Sequence, residues 1–125
     1  MKKTTNKIKI QRNNIEIDAT GQAVGRVAAR VAMILRGKNK ASFVPRIDSG
    51  DFVVITNAKK FKFTGRKLVQ KDYYHHSMHP GGLKIVSMKK VFDKDPAEVI
   101  RHAVWGMLPK NSLRIAMIKR LTVKN

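Results

Sequence analysis

The chain has 125 residues and a mass of 14.2 kDa, with 27 lysines and arginines against 8 aspartates and glutamates, which gives a formal charge of +19 at pH 7 and an isoelectric point near 10.8. A hydrophobic share of 42% supports one compact domain over a disordered basic peptide, while the charge makes a polyanion the expected partner and stabiliser and argues against a free metabolic enzyme. With no cysteine, disulfides, thiolate zinc sites, iron–sulfur ligation and cysteine nucleophiles are excluded, and no cofactor is expected.

Residues 1–14 read as a basic tail carrying Lys2, Lys3, Lys7, Lys9 and Arg12 without an acid, although the alternation of Ile8 and Ile10 with lysines also permits an edge strand. No apolar stretch follows the opening Met1-Lys2-Lys3, so a secretory signal lacks its hydrophobic region, no run approaches a membrane span, and a cytoplasmic protein is expected rather than an organellar one. The domain, 15–125, begins where Ile15-Glu16-Ile17-Asp18 alternates as a strand and Thr20-Gly21 supplies a turn. Val24, Val27, Ala28, Val31, Ile34 and Leu35 then recur at helical offsets, with Arg26, Arg30 and Arg36 off that stripe and Gly37 as the stop. Phe52-Val53-Val54-Ile55 has the texture of a strand buried on both faces, so the sequence predicts a right-handed βαβ unit.

Phe61-Lys62-Phe63 alternates again, Gly65 breaks the run, and Leu68 to Tyr74 is open between helix and extended chain. Pro80-Gly81-Gly82 is a strong loop signal that makes Tyr73 to His79 the entry to an irregular surface loop. Asp95 suits an N-cap before Pro96, with Ile100, Ala103, Val104 and Met107 as the apolar stripe, and Pro109 ends that helix. Asn111 or Ser112 caps a last helix whose buried side is Leu113, Ala116, Met117 and Leu121.

Chemistry-bearing groups are few. Gly21-x-x-x-Gly25 follows a strand and opens a helix, but position 27 is Val and the region about 20 residues on offers Arg36, Lys38 and Lys40 where a ribose-binding carboxylate is needed, so a tight turn with close helix packing is preferred to a dinucleotide site. His75 and His79 would share a face only in a helix that Pro80-Gly81-Gly82 disfavours, and Asp72 is the sole nearby carboxylate; a loop that stacks on bases and touches phosphates is favoured over a metal site. Asp48 and Asp51, around Ser49-Gly50, read as turn and cap residues, and no catalytic triad assembles. The cations lie in every segment, as in Lys59-Lys60, Arg66-Lys67, Lys89-Lys90 and Lys119-Arg120, rather than on one reading helix, which suits a protein wrapped by folded RNA.

The strings Ile17-Asp-Ala-Thr-Gly-Gln-Ala-Val-Gly-Arg26, Leu35-Arg-Gly-Lys-Asn-Lys40, Asp48-Ser-Gly-Asp51 with Val53-Val-Ile-Thr-Asn-Ala58, Tyr73-Tyr-His-His-Ser77 with Pro80-Gly-Gly-Leu83, and Gly106-Met-Leu-Pro-Lys-Asn111 occur in order over residues 15–123. Taken together they are similar to the bacterial large-subunit ribosomal protein L-thirteen family. The resemblance implies a single three-layer α/β/α domain with a small mainly parallel sheet, and a structural role binding large-subunit ribosomal RNA early in subunit assembly. The partners expected are that RNA and neighbouring large-subunit proteins, with no homo-oligomer and no membrane; the runner-up reading is a translational repressor that binds its own messenger RNA. The RNA-facing loops it implies correspond to Arg36, Lys38 and Lys40, to Thr64 through Lys67, to Tyr74 through Gly82, and to Lys110-Asn111.

The candidate RNA-binding residues are therefore Arg26, Arg36, Lys38, Lys40, Arg46, Arg66, Lys67, Tyr74, His75, His76, Ser77, Pro80, Gly81, Gly82, Lys84, Lys110, Asn111 and Arg114, with no catalytic or metal residue. Where the family has Leu then Gly-Arg after Asn111, this chain has Leu113, Arg114 and Ile115, and the family's His-Pro-His tail has no match after Val123. The C-terminal contacts are the least transferable, and residues 1–13 are expected to replace part of them. A nucleotide-dependent enzyme is the alternative of a different class; retention on washed ribosomes separates it from a ribosomal component.

Overall fold

The structure is a computed structural model and describes residues 10–125; the expectations of a tail or an edge strand at residues 1–9 lie outside the described residues. Three parallel strands form the main sheet in the order β1 (Asn14–Asp18), β2 (Phe52–Thr56), β5 (Leu121–Val123). In register, Ile15 stands beside Val53 and Val53 beside Leu121, while Ile17 stands beside Ile55 and Ile55 beside Val123. Because side chains alternate along a strand, these six point to one face and form the sheet's half of the core.

The helix α1 (Val24–Arg36) supplies the facing half with Val24, Val27, Ala28, Val31, Ala32 and Leu35, all buried, while Arg26 and Arg30 are exposed. Full burial of a Val or Leu side chain contributes roughly 1.5–3 kcal/mol, so this stripe anchors the helix. Gly37 ends it in the left-handed region, φ 84°, where its amide donates to the Met33 and Ile34 carbonyls at 3.1 and 3.0 Å. The predicted β-α-β order over residues 14–56 is thus present, with β1 and β2 parallel.

Two expectations for this region need correction. The strand predicted to be buried on both faces is buried on one: Phe52 is 43% exposed and Val54 half-buried, beside exposed Glu16 and Thr122. A short apolar run cannot tell two-sided burial from a partly open sheet. Of the layers that the resemblance implies, the described residues show the sheet and the helices on its inner face. Gly25 was read as a close-packing glycine, yet no heavy atom lies within 4 Å of where its Cβ would stand; Gly21, at φ 68°, does serve the turn.

The stretch 61–63 is no strand. It follows a 3-10 turn (Ala58–Lys60) and makes a single bridge, Lys62 with Ala23, while Phe63 meets Phe92 edge-on at 5.0 Å. The segment left open between helix and extended chain is both: α2 (Lys67–Gln70) leads into β3 (Asp72–His76). β3 pairs antiparallel with β4 (Leu83–Ser87), Tyr74 opposite Ile85 and His76 opposite Leu83, so the irregular loop expected from Tyr73 is confined to Ser77–Gly82. The shared alternation of Tyr, His and Ile across the pair is what makes a ladder possible, and the sequence shows it only once the register is known.

Next, α3 (Met88–Lys94) leads to α4 (Pro96–Met107), which packs on α1. As expected, the Asp95 carboxylate accepts from the Ala97 amide at 3.0 Å, ahead of Pro96 in the first turn. The last helix, α5 (Leu113–Lys119), has Asn111 Oδ1 accepting from the Arg114 amide at 3.1 Å. Met117 is buried but Ala116 is exposed, and Leu121 belongs to β5 rather than to this helix. The α/β class with a small, mainly parallel sheet is what the structure shows.

Candidate nucleic-acid interface

The loop between α1 and β2 carries the densest run of expected contacts, and it is organised from inside by two aspartates. Gly50 passes so close to the end of α1 that a Cβ there would stand 1.7 Å from the Leu35 carbonyl oxygen. This brings Asp51, 1% exposed, under the loop, where Lys40 Nζ sits 2.6 Å from its Oδ1 and the Asn13 amide donates to the same oxygen at 3.0 Å. Burial pushes the Asp51 carboxyl up, but the Lys40 and Asn13 hydrogen bonds, the Lys40 charge and Asn39 outweigh it and hold it below the ordinary carboxylate range. Lys40 Nζ also donates to the Gln11 and Ser49 carbonyls at 2.7 and 2.9 Å, so its three protons are all engaged.

Asp48 does the same on the other side. The guanidinium of Arg120, itself buried, grips both its oxygens, Nη2 at 2.6 Å from Oδ1, and donates to the Leu35 carbonyl at 2.8 Å. Arg12 reaches in from the amino-terminal side, donating to the Asp48 and Gly50 carbonyls at 3.0 Å each. Asp48 and Asp51, read as turn and cap residues, are instead the anions of this internal network. Arg12 and Arg120, read as parts of a basic tail and a basic cluster, are its cations. No sequence signal pairs groups 72 positions apart.

The expected contact residues thus divide. Lys40 turns inward, and Arg114 lies over the Trp105 ring at 3.9 Å and donates to the Trp105 carbonyl, so both are held by the fold. Arg36 lies 5.5 Å from the centre of the Phe43 ring. Arg26, Lys38, Arg46, Arg66, Lys67, Lys84 and Lys110 are exposed, and none has an ion pair among the described residues. Arg36 and Lys38 line a shallow groove with Met107 and Pro109, the residue before Lys110; Arg26 and Lys67 line a deeper cavity that shares Met107 with the groove.

The hairpin presents a third surface. On one of its faces Tyr74, 68% exposed, stands between His76 and the exposed Leu83 and Ile85, and His75 and Lys84 stand opposite each other on the other face. His76 Nδ1 accepts from the Met78 amide at 2.9 Å, fixing a turn in which Met78 takes φ 65°, and Ser77, Pro80 and Gly81 are exposed, with Gly82 half-buried where its amide donates to the His79 carbonyl. His75 lies in β3 and His79 in the turn that follows it, so the helix that would set these two on one face is not formed. Among the described residues no three of His, Asp or Glu come together in a way that could hold a metal ion. No helix among them is long and apolar enough to cross a membrane.

Asp18, at the end of β1, is held down to about 2, first by the Asn57 side chain and then by the amide and hydroxyl of Thr20; it stitches β1 to the end of β2. Its hydrogen bonds make it a structural carboxylate and leave no poised base.

An α/β domain of this kind, with exposed cations on helix, strand and loop and with Asp48 and Asp51 engaged in an internal network, is built to be a component of a larger charged assembly. Residues 12–124 match the family model described as Ribosomal protein L13. The chain is 49% identical over 114 residues to the large ribosomal subunit protein uL13 of Chlorobium phaeobacteroides (strain DSM 266), covering 91% of this chain and 76% of that protein. It is 50% identical to the uL13 of Pelobacter propionicus and 51% identical to that of Clostridioides difficile (strain 630), each over 114 residues, covering 91% of this chain and 80% of either relative. The chain belongs to the ribosomal protein L13 family, a family of structural components of the large ribosomal subunit and not of enzymes.

Proposed function

We propose that this chain binds large-subunit ribosomal RNA in the bacterial cytoplasm and acts early in subunit assembly. Lys38 and Lys110, Arg46 on the α1–β2 loop, Arg26, Arg66 and Lys67, and Lys84 on the hairpin neutralise phosphates. Tyr74, His75 and His76, with the Ser77–Gly82 turn, meet unpaired bases or sugars. Arg36 contributes charge from above Phe43, Asn111 orients the neighbouring Lys110 by capping α5, and Lys40 and Arg114 serve by shaping the loops they brace. The exposed apolar face of the hairpin, Leu83 and Ile85 beside Tyr74, suits a neighbouring protein of the subunit or an RNA base.

The observation that carries this reading is the sorting of charge: Asp48 and Asp51 take Arg120 and Lys40 into an internal network, and the cations left without an ion pair among the described residues stand exposed on helix, strand and loop alike. Dispersed phosphate contacts position a protein, and shape and unpaired bases specify its site. Such binding releases counter-ions, so for about 6 to 10 contacts, on a duplex-DNA calibration, affinity falls roughly 10³- to 10⁵-fold between about 50 and 200 mM salt. Filter binding to large-subunit ribosomal RNA fragments and to length-matched random RNA across a salt series tests it. A steep slope with clear preference for the ribosomal fragments is expected; equal affinity for both at physiological salt overturns the reading.

A further inference from the structure

The largest of the described cavities, about 610 Å³, opens between the first turn of α1, the 62–71 stretch, β3 and α4. That lies within the range of about 300–1,000 Å³ typical of sites for small organic molecules. Four cations line it, Arg26, Lys62, Lys67 and Lys71, and no carboxylate does. Apolar and aromatic side chains line it as well. Phe63, Met88 and Val99 contribute, and the Tyr73 ring lies stacked on His102 at 4.8 Å and 21° with Lys71 Nζ 5.5 Å from its centre.

Two glycines stand exposed along the open side of the cavity. Gly25 in α1 and Gly106 in α4 both line the cavity; neither has positive φ, and neither has a heavy atom within 4 Å of where a Cβ would stand. A glycine inside a helix is destabilising relative to alanine, so where sterics do not require it the gain lies elsewhere. Here the missing side chains keep the space open. The first turn of α1 adds to the electropositive wall, since no side chain caps it and it contains no acid.

We infer that this cavity receives a single unpaired nucleotide, its base against the apolar and aromatic wall and its phosphate among Arg26, Lys62, Lys67 and Lys71. The inference deepens the RNA-binding reading, on which it rests for its source: a nucleotide turned out of a folded RNA strand. A free nucleoside monophosphate has the same chemistry and serves as a probe. Base and phosphate are both required, because the cations alone would hold any anion and the wall alone any flat apolar group.

The test uses the full chain at about 150 mM salt, where diffuse attraction is screened. Calorimetric titration with AMP, CMP, GMP and UMP should show saturable one-to-one binding at least tenfold tighter than with inorganic phosphate or adenosine. Gly25→Leu and Gly106→Leu fill the cavity and should lose that binding by tenfold or more while melting no lower than wild type, and Gly25→Ala should bind nearly as wild type and melt higher. The double change Lys67→Gln with Lys71→Gln, both on exposed side chains, should lose it equally and guards against a misfolded leucine variant. For the RNA source, ribosomal fragments carrying an abasic residue at each unpaired position in turn are compared with the intact fragment. One position should cost wild type about tenfold and cost Gly25→Leu nothing.

Phosphate binding as tightly as the monophosphates, or leucine variants that bind them unchanged, overturns the cavity site. Monophosphate binding with no abasic effect assigns the site to free nucleotides and overturns the RNA source. Ribosomal preference equal in the leucine variants and the wild type leaves the RNA-binding reading standing without this site, whereas absence of preference in the wild type overturns that reading and the RNA source with it, and leaves monophosphate binding to be decided by the titrations.

Discussion

Lys40 shows how a residue's partners decide its role. In sequence it stands with Arg36 and Lys38 as an RNA contact, but its ammonium group is fully engaged by Asp51 and two carbonyls. Removing one member of a buried ion pair leaves the other uncompensated, so Lys40→Gln should cost about 3 kcal/mol by denaturant unfolding and leave the salt dependence of RNA binding unchanged. Lys38→Gln should do the reverse, with stability within about 0.5 kcal/mol and a salt slope lower by about 1. If Lys40→Gln flattens the slope while the fold holds, its inward role is wrong. Acid acts on this network through Asp51 and, separately, on Asp18 at the end of β1. Asp18 and Asp51 are both held below the ordinary value, so the unfolded chain binds more protons and stability falls with pH. Their contribution is complete above the unfolded value near 3.9 and is lost as pH drops through the folded values, about 2 for Asp18. The melting temperature should hold from pH 7 to 5 and decline below pH 4. Asp51→Asn should melt lower at pH 7 and lose part of that decline.

At the scale of elements, Gly50 fixes how the α1–β2 loop lies on the helix end. The Cβ of Gly50→Ala would overlap a backbone carbonyl, so the loop must move, and a loss above about 4 kcal/mol or failure to fold is expected in a thermal melt. The hairpin is the opposite case. Tyr74 is exposed, so Tyr74→Ala should leave the melting temperature within about 2 °C and reduce preference for ribosomal over random RNA; an unchanged preference would remove Tyr74 from the interface. How much of this was legible depended on range. The stripe of α1, its glycine stop and the Asp95 cap were readable because their partners lie within four residues. The strand β5 was missed because three residues carry no period and its pairing with β2 spans the chain. The hairpin ladder was hidden by polar and aromatic residues on both faces, with the Pro80-Gly81-Gly82 signal marking only its turn. The candidate site was legible as a set of cations and illegible as a division of them, because lysine and arginine look alike whether an aspartate from a distant segment reaches them or not.

For the whole molecule, charge is the governing quantity. At +19 the folded chain repels itself, and anion binding relieves it. Adding a ribosomal RNA fragment or, less strongly, a polyanion such as heparin should raise the melting temperature at low salt, with the heparin effect fading as salt screens it. The same charge bears on how the chain is made. Arg120 and β5 follow every other described element in sequence, yet Arg120 holds Asp48 and the end of α1, and β5 completes the sheet beside the central strand. During synthesis every earlier described element therefore emerges without the strand and the guanidinium that close the sheet and the α1–β2 loop. Val53 and Ile55 then lack their neighbours Leu121 and Val123, and the Asp48 carboxylate lacks its principal cation. Folding of these elements waits on residues 120–123, so ribosome-stalled chains stopped before residue 120 should be protease-sensitive throughout, and chains extended past residue 125 by a linker long enough to clear the exit tunnel should become resistant in a single step.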